Sequence, residues 1–122
     1  MTVQITPAEL EIMKIIWDRP GLGASEIAGA LADQQDWTIK TIKTLLTRLV
    51  EKGALATTSE GRRYLYTPKI ARKAYQKTAA GQLVDRLFNG RAAPLVARLA
   101  DARGLSEEDI AELEALLGRL KS

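Results

Sequence analysis

Between Trp37 and Gly53 apolar residues recur at helical spacing, and directly beyond Gly53 the recurrence changes to that of extended chain. A chain that switches period without a linker must pack a helix against a strand pair, which restricts the folds open to it. Within this stretch Ile39, Ile42, Leu45, Leu46, Leu49 and Val50 fall on one helical face. Lys40, Lys43, Thr44, Thr47 and Arg48 fall on the other, and Glu51 at the far end is the only acid. Thr38 is placed to cap the helix and Trp37 to staple onto Ile42. Gly53 supplies the stop. A solvated helix would show the same two faces, so the sequel decides between a solvated face and a binding one.

That sequel is "ALATT" (54–58) and "RYLYT" (63–67), rich in β-branched and aromatic residues and joined by "SEGR" with Gly61 as turn residue. Pro68 closes the second strand. The pair reads as a hairpin, with Arg62 and Arg63 at its tip where phosphates or a minor groove could be met, and with Tyr64 and Tyr66 packing the sheet on the helices. Upstream, "ITPAEL" opens a first helix, with Thr6 as N-cap, Pro7 at the first helical position, Glu9 closing a capping box and Ile5 stapled onto Leu10. Leu10, Met13, Ile16 and Trp17 mark its buried stripe, and "RPG" at 19–21 ends it. A short second helix is expected from near Ser25 to Ala32, with Ile27 and Leu31 inward. Three short helices, the last basic outside and followed by a hairpin, have the layout of a winged helix-turn-helix, in which the third helix reads DNA and the hairpin is the wing.

Charge agrees with that layout. The chain is only +3 overall, but residues 1–36 carry 2 bases and 6 acids, residues 37–73 carry 9 bases and 2 acids, and residues 74–122 carry 7 of each. The +7 of the middle segment is the footprint expected of a polyanion binder.

Downstream of the hairpin the chain is helical again. Residues 70–89 read as a helix with Tyr75, Ala79, Leu83, Leu87 and Phe88 on one side, and Gly81 inside it marks a kink or a close helix crossing. Pro94 is expected to open a fifth helix bearing Leu95, Val96 and Leu99 and ending at Gly104. Leu105, Ser106, Asp109 and Ile110 repeat the opening device for a last helix lined by Ile110, Leu113, Leu117 and Leu120. These helices are too few for a core of their own, and a second copy of them is the simplest cover. The domain organisation expected is thus a DNA-binding domain over 1–69 and a helical dimerisation segment over 70–122, mainly α with one small β-hairpin.

The absent residues narrow the function. Without cysteine or histidine there is no disulfide, no thiol nucleophile, and neither the commonest general base nor the commonest metal ligand. The carboxylates of 107–114 are accounted for as helix-start and solvent-face charges, so no enzyme, no metal and no cofactor is expected. "MTVQITPAEL" carries no basic-then-apolar signal and no apolar run reaches membrane-spanning length, which leads us to expect a cytoplasmic protein with no membrane insertion. A winged helix used purely to bind protein is the alternative, and the +7 segment argues against it.

In "TPAELEIMKIIWDRPG", "WTIKTIKTLLTRLVEKGAL", "GRRYLYTP" and "RLFNGRAAPLVARLADARGLSEEDIAELEALL" the chain resembles the penicillinase repressors of bacteria, the BlaI/MecI type of winged-helix regulator. The resemblance implies a homodimer that represses transcription from a palindromic double-stranded operator. It implies a recognition helix over 38–52, with Thr38, Lys40, Thr41, Lys43, Thr44 and Arg48 at the family's polar positions. It also implies release by proteolysis in the fifth helix, with a membrane-embedded sensor protease as partner. The Asn-Phe bond cut in the penicillinase and methicillin repressors is Arg98-Leu99 in this chain, so the resemblance does not carry the inducing signal across. Copper-responsive relatives end in a cysteine-rich site, which this chain lacks.

Overall fold

A computed structural model describes residues 3–122. The elements run α1 (Pro7–Asp18), α2 (Ala24–Leu31), α3 (Ile39–Glu51), β1 (Leu55–Glu60), β2 (Arg63–Pro68), α4 (Arg72–Phe88), α5 (Ala92–Arg103) and α6 (Glu107–Lys121). The chain forms two compact units, Met1–Thr78 and Ala79–Ser122.

In the first unit α1 to α3 close over Ile12, Met13, Ile16, Ile27, Leu31, Ile42, Leu45, Leu46 and Leu49, with Ala54 and Leu55 sealing the base of the hairpin. Local chemistry sets the helix ends. Thr6 accepts from the Glu9 N–H at 3.2 Å while the Glu9 carboxylate accepts from the Thr6 N–H at 2.9 Å, which completes the expected capping box. Thr38 caps α3 by accepting from the Thr41 N–H at 3.1 Å. At the other end Gly53 adopts φ +83°, its N–H reaching the Val50 carbonyl while the Ala54 N–H reaches that of Leu49. This is the Schellman closure, and only glycine enters that backbone region without strain.

Glu9 has a second task. It is buried, with 1 % of its surface exposed, and Lys52 at the C-cap of α3 donates to its carboxylate and also to the Gln4 carbonyl at 2.9 Å. Burial pushes the Glu9 carboxyl pKa up, but the hydrogen bonds and charge of Lys52, together with the Thr6 N–H, more than reverse this and leave it below its ordinary value.

The hairpin pairs antiparallel from Leu55 with Pro68 to Glu60 with Arg63, so β1 runs two residues past the expected "ALATT" and the loop contracts to Gly61 and Arg62. Gly61, at φ +64°, holds the first central position, where a two-residue hairpin loop most needs glycine. Leu22 adds a bridge to the outer side of Tyr66, with the Gly21 N–H on the Tyr66 carbonyl and the Tyr66 N–H on the Leu22 carbonyl, both at 2.9 Å. The wing is thereby tied to the segment that leads into α2.

Several expectations change. Ile39, counted with the apolar face, is 42 % exposed because the first turn of α3 projects beyond the core. Ile12 is fully buried, whereas Leu10 and Trp17 are only half-buried at the core's edge. Tyr66 packs on the core but Tyr64 is 58 % exposed, since the added Leu22 bridge covers the sheet at Tyr66 alone. The first unit reaches past the expected 69/70 boundary into α4 because Trp17 and Asp18 anchor that helix. The Trp17 indole N–H donates to the Ile70 carbonyl at 2.9 Å, and Arg72 reaches Asp18 at 2.7 Å with its guanidinium 5.5 Å from the Trp17 ring centre. Tyr75, expected in the dimerisation stripe, instead lies with its ring 5.9 Å from that of Trp17.

In the second unit α6 starts with the expected capping box, Ser106 accepting from the Asp109 N–H at 3.0 Å. Helix α5 begins at Ala92, two residues before Pro94, which sits in the first turn where its missing N–H costs nothing. Helix α4 runs unbroken through Gly81, and a Cβ added there would meet nothing within 4 Å, so no other element of the described chain crosses closely at that glycine. None of α4, α5 and α6 buries a residue. No helix among the described residues is long and apolar enough to cross a membrane, and none of their acidic side chains cluster as a metal site would require.

Candidate nucleic-acid interface

The apolar face of α3 is committed to the core, which fixes the helix about its axis and turns the opposite face outward. Lys40, Thr41, Lys43, Thr44, Thr47 and Arg48 are all exposed there. Lys40, Lys43 and Arg48 make no ion pair among the described residues, so their charge is available to a ligand. The threonines are partly committed. Thr44 and Thr47 donate to the carbonyls of Lys40 and Lys43 at 3.0 and 2.9 Å, and the hydroxyls of Thr38 and Thr41 lie 3.2 Å apart at the helix start. With its proton on the helix, the Thr44 hydroxyl offers the outside an acceptor and a methyl group.

Beside α3 the wing closes a cleft of about 440 Å³, lined by Ser25 at the start of α2, Lys43 and Thr47 of α3, and Arg62, Arg63 and Tyr64 of the hairpin. The fold therefore brings Lys43 of the helix and Arg62 and Arg63 of the wing to one cleft. Arg62 at the turn is exposed and makes no ion pair among the described residues. Arg63 is engaged: its guanidinium lies 3.1 Å from Glu26 and 4.0 Å from Glu60. Sequence reasoning left Ser25, Glu26 and Tyr64 out of the interface; Ser25 and Tyr64 line the cleft, Glu26 meets it through Arg63, and the pairing of Leu22 with Tyr66 ties the wing to this segment. No local pattern marks that pairing. Thr47 was legible as an outward residue of α3.

The apolar residues expected to dimerise stand open in the second unit. Leu87, Leu99, Ile110, Leu117 and Leu120 are 40–71 % exposed, while Leu83, Phe88, Leu95 and Leu113 are half-covered. Val96, Leu99, Leu105, Leu113 and Leu116 line an apolar cleft of about 630 Å³, Leu105 and Leu116 being additions to the expected set. Arg98 and Leu99 sit in mid-α5, both exposed, with Arg98 3.4 Å from Asp101.

Comparison with known proteins finds relatives along nearly the whole chain. The chain is 37 % identical over 119 residues to the penicillinase repressor of Bacillus licheniformis, covering 98 % of this chain and 93 % of that one. It is 29 % identical to the methicillin resistance regulatory protein MecI of Staphylococcus aureus, over 97 % of this chain and 96 % of the relative. Among solved structures, monomeric Bacillus licheniformis BlaI in complex with the blaP half-operator is 44 % identical, with a TM-score of 0.52 over 59 % of this chain and 88 % of that one. Residues 5–119 match the model of the penicillinase repressor family, and the chain belongs to that family.

Proposed function

We propose that the chain is a sequence-specific transcriptional repressor that binds a palindromic operator as a homodimer, with α3 in the major groove of each half-site. The observation that carries this reading is the outward face of α3, whose three cations make no ion pair among the described residues and flank hydroxyls free to accept. In this reading Lys40 and Thr44 meet base edges, while Thr38, Thr41, Lys43, Arg48 and Arg62 hold the backbone on either side. The Thr44 acceptor suits an exocyclic amine of adenine or cytosine, and its methyl suits thymine. Catalysis has no place in this reading, and a DNA-binding role places the protein in the cytoplasm.

The homodimer rests on α4–α6, which bury nothing by themselves although they carry leucines at helical spacing. Burying a leucine side chain is worth about 1.5–3 kcal/mol, and residues 74–122, with 7 bases and 7 acids, present no net charge to repel a second copy. Joining two copies of the first unit, the DNA-binding head, raises operator affinity by ~10²–10⁴ over one head. Cleavage of α5 between Leu95 and Gly104, by a partner protease, would forfeit that gain without touching a DNA contact.

The operator is obtained by selecting genomic DNA with the purified protein, and binding is then compared on operator and random duplex. Thr44→Ala and Lys40→Ala should each lower operator affinity ~5–150-fold, the equivalent of ~1–3 kcal/mol, with random DNA affected much less. Unchanged preference for the operator in both variants would overturn the assignment of that face.

A further inference from the structure

Arg63 departs from the pattern of the other cations on this surface, and the reason lies on α2. The Glu26 carboxylate is already oriented there: its Oε1 accepts from the Gly23 N–H at 3.0 Å as part of the α2 capping box. The same oxygen lies 3.1 Å from Nη2 of Arg63. Glu60, across the hairpin turn, lies 4.0 Å from Nε of the same guanidinium, so one cation faces two carboxylates. Gly23, which is buried, lies beside the same groups. A Cβ there would sit in ordinary van der Waals contact, 3.4 Å from the Tyr64 carbonyl oxygen and from Oε1 of Glu26 and 3.5 Å from Nη1 of Arg63. The Leu22–Tyr66 bridge sets the strand at this distance. Arg63 and Glu26 are 53 % and 44 % exposed, which leaves the pair at the edge of the cleft where the DNA backbone would pass.

We infer that Glu26 is a positioning residue which withholds Arg63 from the DNA backbone, so that the wing grips phosphate through Arg62 alone and affinity for non-operator DNA is held down. The inference rests on the repressor reading above. A phosphate contact strengthens binding to every sequence alike, so removing one from circulation lowers random binding without lowering the discrimination made by α3. Glu26 thus works against wrong partners rather than for the right one.

The test is the salt dependence of binding to operator and to random duplex for the wild type, Glu26→Gln, Arg63→Gln and the double variant. Glutamine can still accept from the Gly23 N–H, so the α2 cap survives, and circular dichroism checks that it does. Glu26→Gln should bind random DNA ~5–10-fold more tightly near 0.1 M salt, its log–log slope steeper by about 0.9, the value of one added phosphate contact. Arg63→Gln alone should leave the slope unchanged, and the double variant should match it. A slope lowered by about one unit in Arg63→Gln would show that Arg63 grips phosphate with Glu26 in place and would overturn the inference. A Glu26→Gln gain that persists in the double variant would trace the effect to repulsion by Glu26 itself and overturn it equally. An unchanged Glu26→Gln protein would do the same while leaving the repressor reading intact. A wild-type protein that binds no duplex would remove both.

Discussion

Replacing Lys52 with methionine keeps much of the side-chain volume at the end of α3 but strands the Glu9 carboxylate, which has 1 % of its surface exposed. Breaking a fully buried ion pair by deleting one member costs ~3–5 kcal/mol. Two features bring the figure down. Lys52 is itself 32 % exposed, so water already screens the pair, and the Thr6 N–H remains on the carboxylate. There is also a ceiling, because Glu9 can take up a proton. At pH 7 that costs about 3.7 kcal/mol, from an ordinary pKa of ~4.3 at 1.36 kcal/mol per pH unit. We therefore expect a loss of ~1.5–3 kcal/mol at pH 7, or roughly 5–20 °C in the Tm of a unit this size.

The pH dependence identifies the cause. The folded-state pKa of Glu9 is depressed, so its stabilisation is complete above the unfolded value and is lost as pH falls through the folded one. Urea unfolding of wild type and Lys52→Met, followed by tryptophan fluorescence at pH 7 and pH 3, should show the gap between them close by more than half at the lower pH. A remainder of ~0.5–1.5 kcal/mol belongs to the hydrogen bond from Lys52 to the Gln4 carbonyl. A gap of equal size at both pH values would refute the electrostatic argument and leave packing of the lysine stem as the cause.

Leu113→Glu places a carboxylate in the apolar cleft of the second unit and should yield a protein that sediments as a monomer while its head keeps its helical signal; a surviving dimer would place the interface elsewhere. If cleavage of α5 releases repression, immunoblots of the host during induction should show full-length protein disappearing as target genes switch on, and its persistence would rule proteolysis out.

What could be read from the sequence was local. The caps at Thr6, Thr38 and Ser106 depend on residues three apart, and each forms as the spacing implies. Partners far along the chain left no such trace. Glu9 is fully explained by Thr6 until Lys52 arrives from 43 residues away, and the ion pair of Arg63 with Glu26 needs the fold to bring wing and α2 together. Helical periodicity placed the faces of α3 correctly from Ile42 to Leu49 but treated the helix as endless, and so counted Ile39, in the first turn outside the core, as buried. In α4 the same periodicity gathered Tyr75 with Leu83 and Leu87, although Trp17 holds the start of that helix against the head. A stripe tells which residues seek cover and is silent on what covers them.

That distinction yields a measurable difference between the two units. The head has a closed core in one chain, from Ile12 to Leu55, and its stability should not depend on protein concentration. The second unit buries no residue of α5 or α6, so in the homodimer reading its helices are held by the partner and their stability follows mass action. A hundredfold dilution should then cost the second unit about 2.7 kcal/mol and the head nothing. The tryptophans allow the two to be followed separately, because both, Trp17 and Trp37, lie in the head. Fluorescence excited at the indole band reports the head alone, whereas far-ultraviolet circular dichroism also reports α5 and α6. On dilution the dichroism transition should split and its earlier part move to lower denaturant, with the fluorescence midpoint fixed. Coincident transitions that both move would mean that the head needs the dimer to fold, and coincident transitions that both stay would mean that the helices of the second unit are stable without a partner.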